Sequence, residues 1–263
     1  MMIILSPAKT MNMTGESIGE SMTSPLFGKE TEILVDIMRQ YSAGELEKLL
    51  KISQPLAQEN YQRYQQFAQP DNPVCPAILA YNGSVFKNIN AGSFSKEDFQ
   101  YAQKHLRIIS ILYGLLRPLD GIQAYRLAYM LKLRGLECKN LYDYWFPKLT
   151  PVLIKDVLNT GGILVNLASL DVLGAFNMTL LEQQVQIITP EFKEERNGTY
   201  ETIRTYAKLA RGAMTRFLLL NRIESQEKMK TFEWEGFHYD ADLSDEKRFI
   251  FTRKKKNRDV VKP

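Results

Sequence analysis

Residues 105–126 read HLRIISILYGLLRPLDGIQAYR. The segment 107–113 is a continuous apolar run rich in β-branched residues, it has the length of a strand, and it stops at Gly114. A run without polar alternation is the pattern of a strand covered on both faces, which predicts the interior of a sheet packed between helices. The polar residues that follow, Arg117, Pro118, Asp120, Gly121 and Arg126, are then expected at the strand's C-terminal end. That is the side on which helix-covered sheets bind ligands. A core strand followed by an ordinary solvated loop accounts for the same residues.

Outward from this run, other segments fit the same sheet. Residues 2–5 form a short buried strand, and the loop Ser6-Pro7-Ala8-Lys9-Thr10 leaves it. Backbone N–H groups and Lys9 in such a loop can face an anion, although no glycine-rich phosphate motif is present. Residues 14–28, rich in Ser, Thr and Gly, read as a mobile loop. Helical spacing covers Ile33 to Tyr41, and Ser42 with Glu45 makes a capping box for a second helix. Ser53-Gln54-Pro55 starts a third. The second and third helices make a helix-hairpin-helix candidate that lacks the glycines usual at such turns, so an ordinary turn between two helices fits these residues better.

Strands are expected at 77–82, 163–167 and 185–188, and helices after Ser95, at 141–145 and at 151–158. Asn197-Gly198 signals a type I′ hairpin. Residues 234–240 and 248–253 look like a closing antiparallel pair. The fold class is α/β (mixed α+β), a single domain over 1–253 with a central mixed sheet flanked by helices, and a basic disordered tail at 254–263.

The 263 residues are 44% hydrophobic and 24% charged, as expected of a globular chain. The first residues, MMIILSPAKT, lack a basic n-region, no apolar stretch approaches membrane-spanning length, and Cys75 and Cys138 make no disulfide framework. The expectation is a cytoplasmic protein with no membrane contact. Residues 247–263 hold eight Lys or Arg against Asp259, a net of +7, which leaves −3 on residues 1–246. Any anion-binding charge must therefore be focused in one place.

The segment 206–221, YAKLARGAMTRFLLLN, is the most unusual in charge. No acid occurs between Glu201 and Glu224, whereas Arg204, Lys208, Arg211, Arg216 and Arg222 do. On one continuous helix Lys208, Arg211 and Arg222 fall within about 60° of one another. Like charges at such spacing repel, so either acids from elsewhere or a bound anion must offset them. His105, Arg107, Arg117 and Arg126 form a second basic set with Asp120 as its only carboxylate. Two histidines, His105 and His238, and two distant cysteines write no metal site, cofactor site or nucleophile–base pair.

Taken together, ILSPAKT at 4–10, HLRIISILYGLLRPLD at 105–120, YRL at 125–127, NLAS at 166–169 and YAKLARGAMTRFLLLNR at 206–222 resemble the peroxide stress protein YaaA family. The resemblance implies a cytoplasmic protein that protects against peroxide by limiting free intracellular iron. It also implies a helix-hairpin-helix element at about 43–67 and a positively charged cleft that binds DNA. The family commonly has Glu at the positions of Ala128 and Asp171 and an acid at that of Leu220. A mechanism that needs those carboxylates is not written here.

The expected site is a cleft lined by Lys9, Arg107, Arg117, Arg126, Lys208, Arg211 and Arg216, with Ser6, Asp120, Asn166 and Ser169 as its polar lining. It would hold the DNA backbone with little base specificity and with weak catalysis or none. The alternative is an enzyme acting on a nucleotide or phosphorylated small molecule in the same basic pocket, gripped by the Ser6–Thr10 and Arg117–Asp120 loops.

Overall fold

Residues 1–14 and 21–254 are described by the structure, a computed structural model. The chain opens with the fully buried strand β1 (Met2–Leu5). Three helices follow: α1 (Gly28–Arg39), α2 (Ala43–Leu50) and α3 (Gln54–Gln65). The expected capping box is formed, with Glu45 N–H donating to Ser42 Oγ at 3.4 Å and Ser42 N–H to Glu45 Oε2 at 2.8 Å. α2 and α3 pack together around Lys51, which adopts the left-handed conformation at φ 52°.

Strand β2 (Cys75–Pro76), the helical turn α4 (Ala77–Ala80) and helix α5 (Ser84–Ile89) come next. The strand expected at 77–82 is therefore a turn of helix. So short an apolar run satisfies either period. The N–H groups of Ala77 and Ile78 bond the carbonyls of Asp120 and Pro118 at 2.9 and 3.1 Å, not a strand of the main sheet.

Helix α6 (Lys96–His105), capped by Ser95 and Asp98, runs directly into β3 (Leu106–Ser110). After a short turn β4 (Gly114–Leu116) returns antiparallel, with Ser110 opposite Gly114. The central apolar run is thus a strand plus the corner of a hairpin. Ser110 Oγ accepts Tyr113 N–H at 3.0 Å, and Trp145 Nε1–H donates to Ile111 O at 2.8 Å. Gly114 holds the corner at φ +74°, and a Cβ there would stand 2.7 Å from Trp145 and 2.9 Å from Phe27. The hairpin carries the Arg117–Asp120 loop to the N-terminal end of β3, where Leu119 N–H bonds Gln103 Oε1 at 2.8 Å. The loop does not sit at the strand's C-terminal end as expected.

Strand β5 (Gly121–Ile122) pairs with β2 in a separate small ribbon. The two helical pieces expected at 141–145 and 151–158 are one helix, α7 (Leu141–Leu158), running through Pro147 and Pro151. Trp145, Leu149 and Leu153, one turn apart, are all fully buried. That stripe holds the helix across residues whose missing N–H would otherwise break it.

The remaining elements are β6 (Ile163–Asn166), α8 (Leu170–Leu173), α9 (Met178–Gln184), β7 (Gln186–Arg196), β8 (Thr199–Glu201), α10 (Arg204–Leu220), α11 (Gln226–Lys230), β9 (His238–Tyr239) and β10 (Arg248–Lys254). Asn197 and Gly198 both have positive φ, 51° and 79°, as the hairpin turn requires. Lys254 ends β10, and residues 255–263 of the expected tail lie outside the described residues, as do 15–20 of the expected loop.

The main sheet is ordered β4-β3-β1-β6-β7-β10-β9, with β8 added along β7. Strands β3, β1, β6, β7 and β10 are mutually parallel, and the antiparallel members lie at its margins. Register aligns Ile4 with both Arg107 and Asn166, and Arg107 reaches Asp156 of α7, so α7 covers that face. The opposite face carries Phe192, which meets Phe232 and through it Phe217 of α10. Among the described residues, no helix is long and apolar enough to cross a membrane.

Candidate functional site

The chain leaves β1 for β3 on one side of the sheet and returns to β6 on the other. The C-terminal ends of β1 and β6 therefore flank the crevice that such a reversal opens, where open α/β sheets bind ligands. Ser6 leaves β1 and Ser169 leaves β6, and they meet there. Their hydroxyl oxygens are 3.0 Å apart, and Ser169 N–H donates to Ser6 Oγ at 2.8 Å. The Ser169 hydroxyl does not cap α8. Asn166 is buried and structural: its Oδ1 accepts Ala168 N–H at 3.1 Å and its Nδ2 donates to Thr189 Oγ1 at 3.4 Å, which shapes the loop beneath Ser169.

Two close approaches bring helices to this edge. A Cβ on Gly83 would stand 2.9 Å from Ala8 Cβ, and one on Gly212 of α10 would stand 2.2 Å from Val85 O of α5. Helix α5 is thus gripped between the loop after β1 and α10. Arg126 arrives by another route. Tyr125 Oη lies 2.7 Å from Ser110 Oγ at the end of β3 and 2.9 Å from Tyr81 Oη. Burial raises the pKa of both phenols, so they act as neutral hydrogen-bonding groups. Tyr64 of α3 donates to Arg126 O at 2.7 Å, which anchors the α2–α3 pair beside the edge.

The seven cations named from sequence fall into two groups. Lys9 follows β1, Arg126 follows Tyr125 at the end of β3, and Lys208 and Arg211 lie on α10; Lys9 and Lys208 are exposed, Arg126 and Arg211 partly buried. Among the described residues none of these four side chains forms an ion pair. Arg211 is held against the interior, its Nε enclosed without a hydrogen-bond partner, and burial lowers its pKa, partly offset by Glu191.

The other three have partners elsewhere. Arg107 Nε donates to Asp156 Oδ2 at 2.7 Å and its Nη1 to the carbonyls of Gln103 and Leu106. Arg117 binds Asp120, which is fully buried, at 2.8 and 3.1 Å, and also Ser24 O at 3.0 Å. Arg216 Nη1 donates to the carbonyls of Ile89 and Asn90 and to Ser93 Oγ at 2.8–3.1 Å, closing the end of α5. Arg222 lies beyond α10 in the left-handed conformation and pairs with Asp98 at 2.7 Å, so it does not share a helical face with Lys208. The Arg117–Asp120 and Ser6–Thr10 loops sit at opposite ends of the strands and do not close on one pocket.

Sequence reading missed the contacts that assemble the edge: Tyr81 and Tyr125 against Ser110, Gly83 against Ala8, and Gly212 against Val85. The small residues at 83 and 212 signal close approach but do not say to what. Two surface hollows, of about 360 Å³ beside Glu233–His238 and about 260 Å³ lined by Asn88, Arg216, Phe217 and Trp234, are lined by none of the other six cations named from sequence. Among the described residues, no group of three or more His, Cys, Asp or Glu side chains could hold a metal ion.

Residues 1–243 match the family described as Peroxide stress protein YaaA. A UPF0246 protein of Bacteroides thetaiotaomicron is 47% identical over 251 residues, covering 95% of this chain and 98% of its own. One from Bacteroides fragilis is 47% identical over 255 residues, 97% of this chain and 99% of its own. One from Clostridium beijerinckii is 42% identical over 259 residues, 98% of this chain and 100% of its own. With likeness running from β1 through the sheet reversal to α10 and beyond, the chain belongs to the peroxide stress protein YaaA family.

Proposed function

We propose that this chain serves the peroxide stress response by binding the DNA backbone along the C-terminal edge of its parallel strands, and through that contact helps to limit free intracellular iron. The observation that carries the reading is that Lys9, Arg126, Lys208 and Arg211, unlike Arg107 and Arg117, have no carboxylate paired to them among the described residues. Such cations favour phosphate oxygens and carry no base code. In this reading the α2–α3 pair, tied to Arg126 through Tyr64, would extend the contact as a helix-hairpin-helix element. Arg107, Arg117 and Arg216 act in the fold and leave the contact surface to the other four.

Neutralising about four phosphates gives a slope of roughly −3.6 for log K against log[salt] on duplex DNA. The variant Lys208→Glu/Arg211→Glu is expected to flatten that slope by about 1.8. Arg216→Ala is expected to leave it unchanged while weakening the fold. A slope untouched by the double reversal rules out this surface. Iron is tested apart from binding: cells carrying the double variant should hold more chelatable iron after peroxide than cells carrying the parent chain, and equal iron defeats that half of the reading.

A further inference from the structure

The two surface hollows share Glu233 and Trp234 as lining, so they adjoin as one trough. Its two halves differ in chemistry. The half walled by residues 233–238 offers the carboxylates of Glu233 and Glu235 on either side of the partly buried Trp234 ring. Glu233 is exposed and forms no ion pair among the described residues. The other half runs over Ala213, Phe217 and Leu220 of α10 and is largely hydrocarbon.

Arg253 fixes where the chain leaves β10 relative to this trough. Its Nη1 donates to Glu235 O at 3.2 Å, and its guanidinium lies 4.5 Å from the Phe237 ring centroid. A Cβ placed on Gly236 would stand 3.9 Å from the Cβ of Arg253. The β9–β10 pairing sets Phe251 opposite Tyr239 and Thr252 opposite His238. Continued along both strands, that register brings the exposed Lys254 opposite Gly236, at the wall of the acidic half. The sequence that follows, 255–263, reads KKNRDVVKP, with three cations before Asp259 and the apolar pair Val260-Val261 after it.

We propose that the trough is the docking site of the chain's own residues 255–263. Lys255 and Lys256 meet Glu233, Glu235 and the Trp234 face, which suits a cation by charge and by ring quadrupole. Val260 and Val261 reach Phe217 and Leu220, since five extended residues span at most about 18 Å. Acid then hydrocarbon in the trough matches cation then valine in the segment. A segment held in this way is withheld from phosphate until a polyanion draws it off. Only this last step rests on the DNA-backbone reading.

Trp234 supplies the test, because the one other tryptophan, Trp145, is fully buried. Acrylamide quenching of the full chain is compared with that of a chain stopped after Lys254. Truncation should raise the quenching constant about twofold, and a synthetic peptide of residues 255–263 should restore protection saturably. Equal quenching of the two chains overturns the proposal. Full-length Glu233→Gln/Glu235→Gln should quench like the truncated chain, and unchanged protection in that variant overturns it as well. Protection that vanishes on dilution of the full chain gives the trough to a second copy and overturns docking within one chain. Duplex DNA should expose Trp234 in the full chain and leave the truncated one unchanged. DNA bound with Trp234 still protected overturns the release step. No DNA binding, with truncation still exposing Trp234, keeps the docking site and removes the backbone reading.

Discussion

Glu194 illustrates what a single side chain decides in this protein. It accepts from Arg253 at 2.8 and 3.1 Å and from Arg196 at 3.0 Å, with Glu194 and Arg253 both buried. Burial pushes its pKa up, yet the arginine hydrogen bonds outweigh burial and hold it below the ordinary value of 4.5. Glu194→Gln should cost about 3–5 kcal/mol by leaving Arg253 buried and unpaired, read from chemical denaturation. Because the folded pKa lies below the unfolded one, the carboxylate stabilises fully above the unfolded value. That contribution declines as pH falls from 4.5 through the folded value. A denaturation series across that window should steepen in the parent and flatten in Glu194→Gln. The same residue scale explains why the cations could be listed from sequence but not assigned: Arg107 and Arg117 find acids 49 and three residues away, and Arg216 finds carbonyls more than a hundred residues away. Spacing along the chain carries no trace of the more distant of these partners.

At the scale of the element, strong local chemistry was legible and backbone reversals were not. The Ser42–Glu45 and Ser95–Asp98 boxes, the Asn197-Gly198 turn and α10 all form where local pattern places them. The run 107–113 misled because its apolar residues serve first as a strand and then as the floor of a hairpin under Trp145. Gly114→Ala would have to hold φ +74° and sit 2.7 Å from Trp145, and is expected to lose about 2–4 kcal/mol through strain and overpacking. Gly212→Ala, with a Cβ 2.2 Å from Val85 O, should force α10 away from α5 at a cost of about 1–3 kcal/mol. It should also weaken DNA binding, since Lys208 and Arg211 move with the helix. Urea midpoints and the salt slope measured on one preparation check both statements, and a Gly212→Ala chain with parental values would show that α10 shifts freely.

Across the whole molecule the mixed sheet between helices was readable, and the strand order was not. Periodicity reports which residues are covered, not which strand is the neighbour. The closing pair was visible in β9 and β10, but β10 also runs parallel to β7 from Arg248–Thr189 to Lys254–Glu195. That pairing brings Phe251 against Phe192, Phe232 and Tyr239. Phe251→Ala should therefore destabilise by about 3–5 kcal/mol and lower a single unfolding transition. Two separate transitions would instead show that the β7–β10 half melts independently of the β1–β3–β6 half.

Since β10 lies between β7 and β9 although it is the last strand described, a chain emerging during synthesis holds an eleven-residue strand, Gln186–Arg196, with one edge bare until β10 appears some fifty residues later. A bare edge of that length invites pairing with another chain. Newly made copies should thus depend on chaperone shielding until β10 docks, and losing it to a protease would turn a well-behaved protein into a template for aggregation.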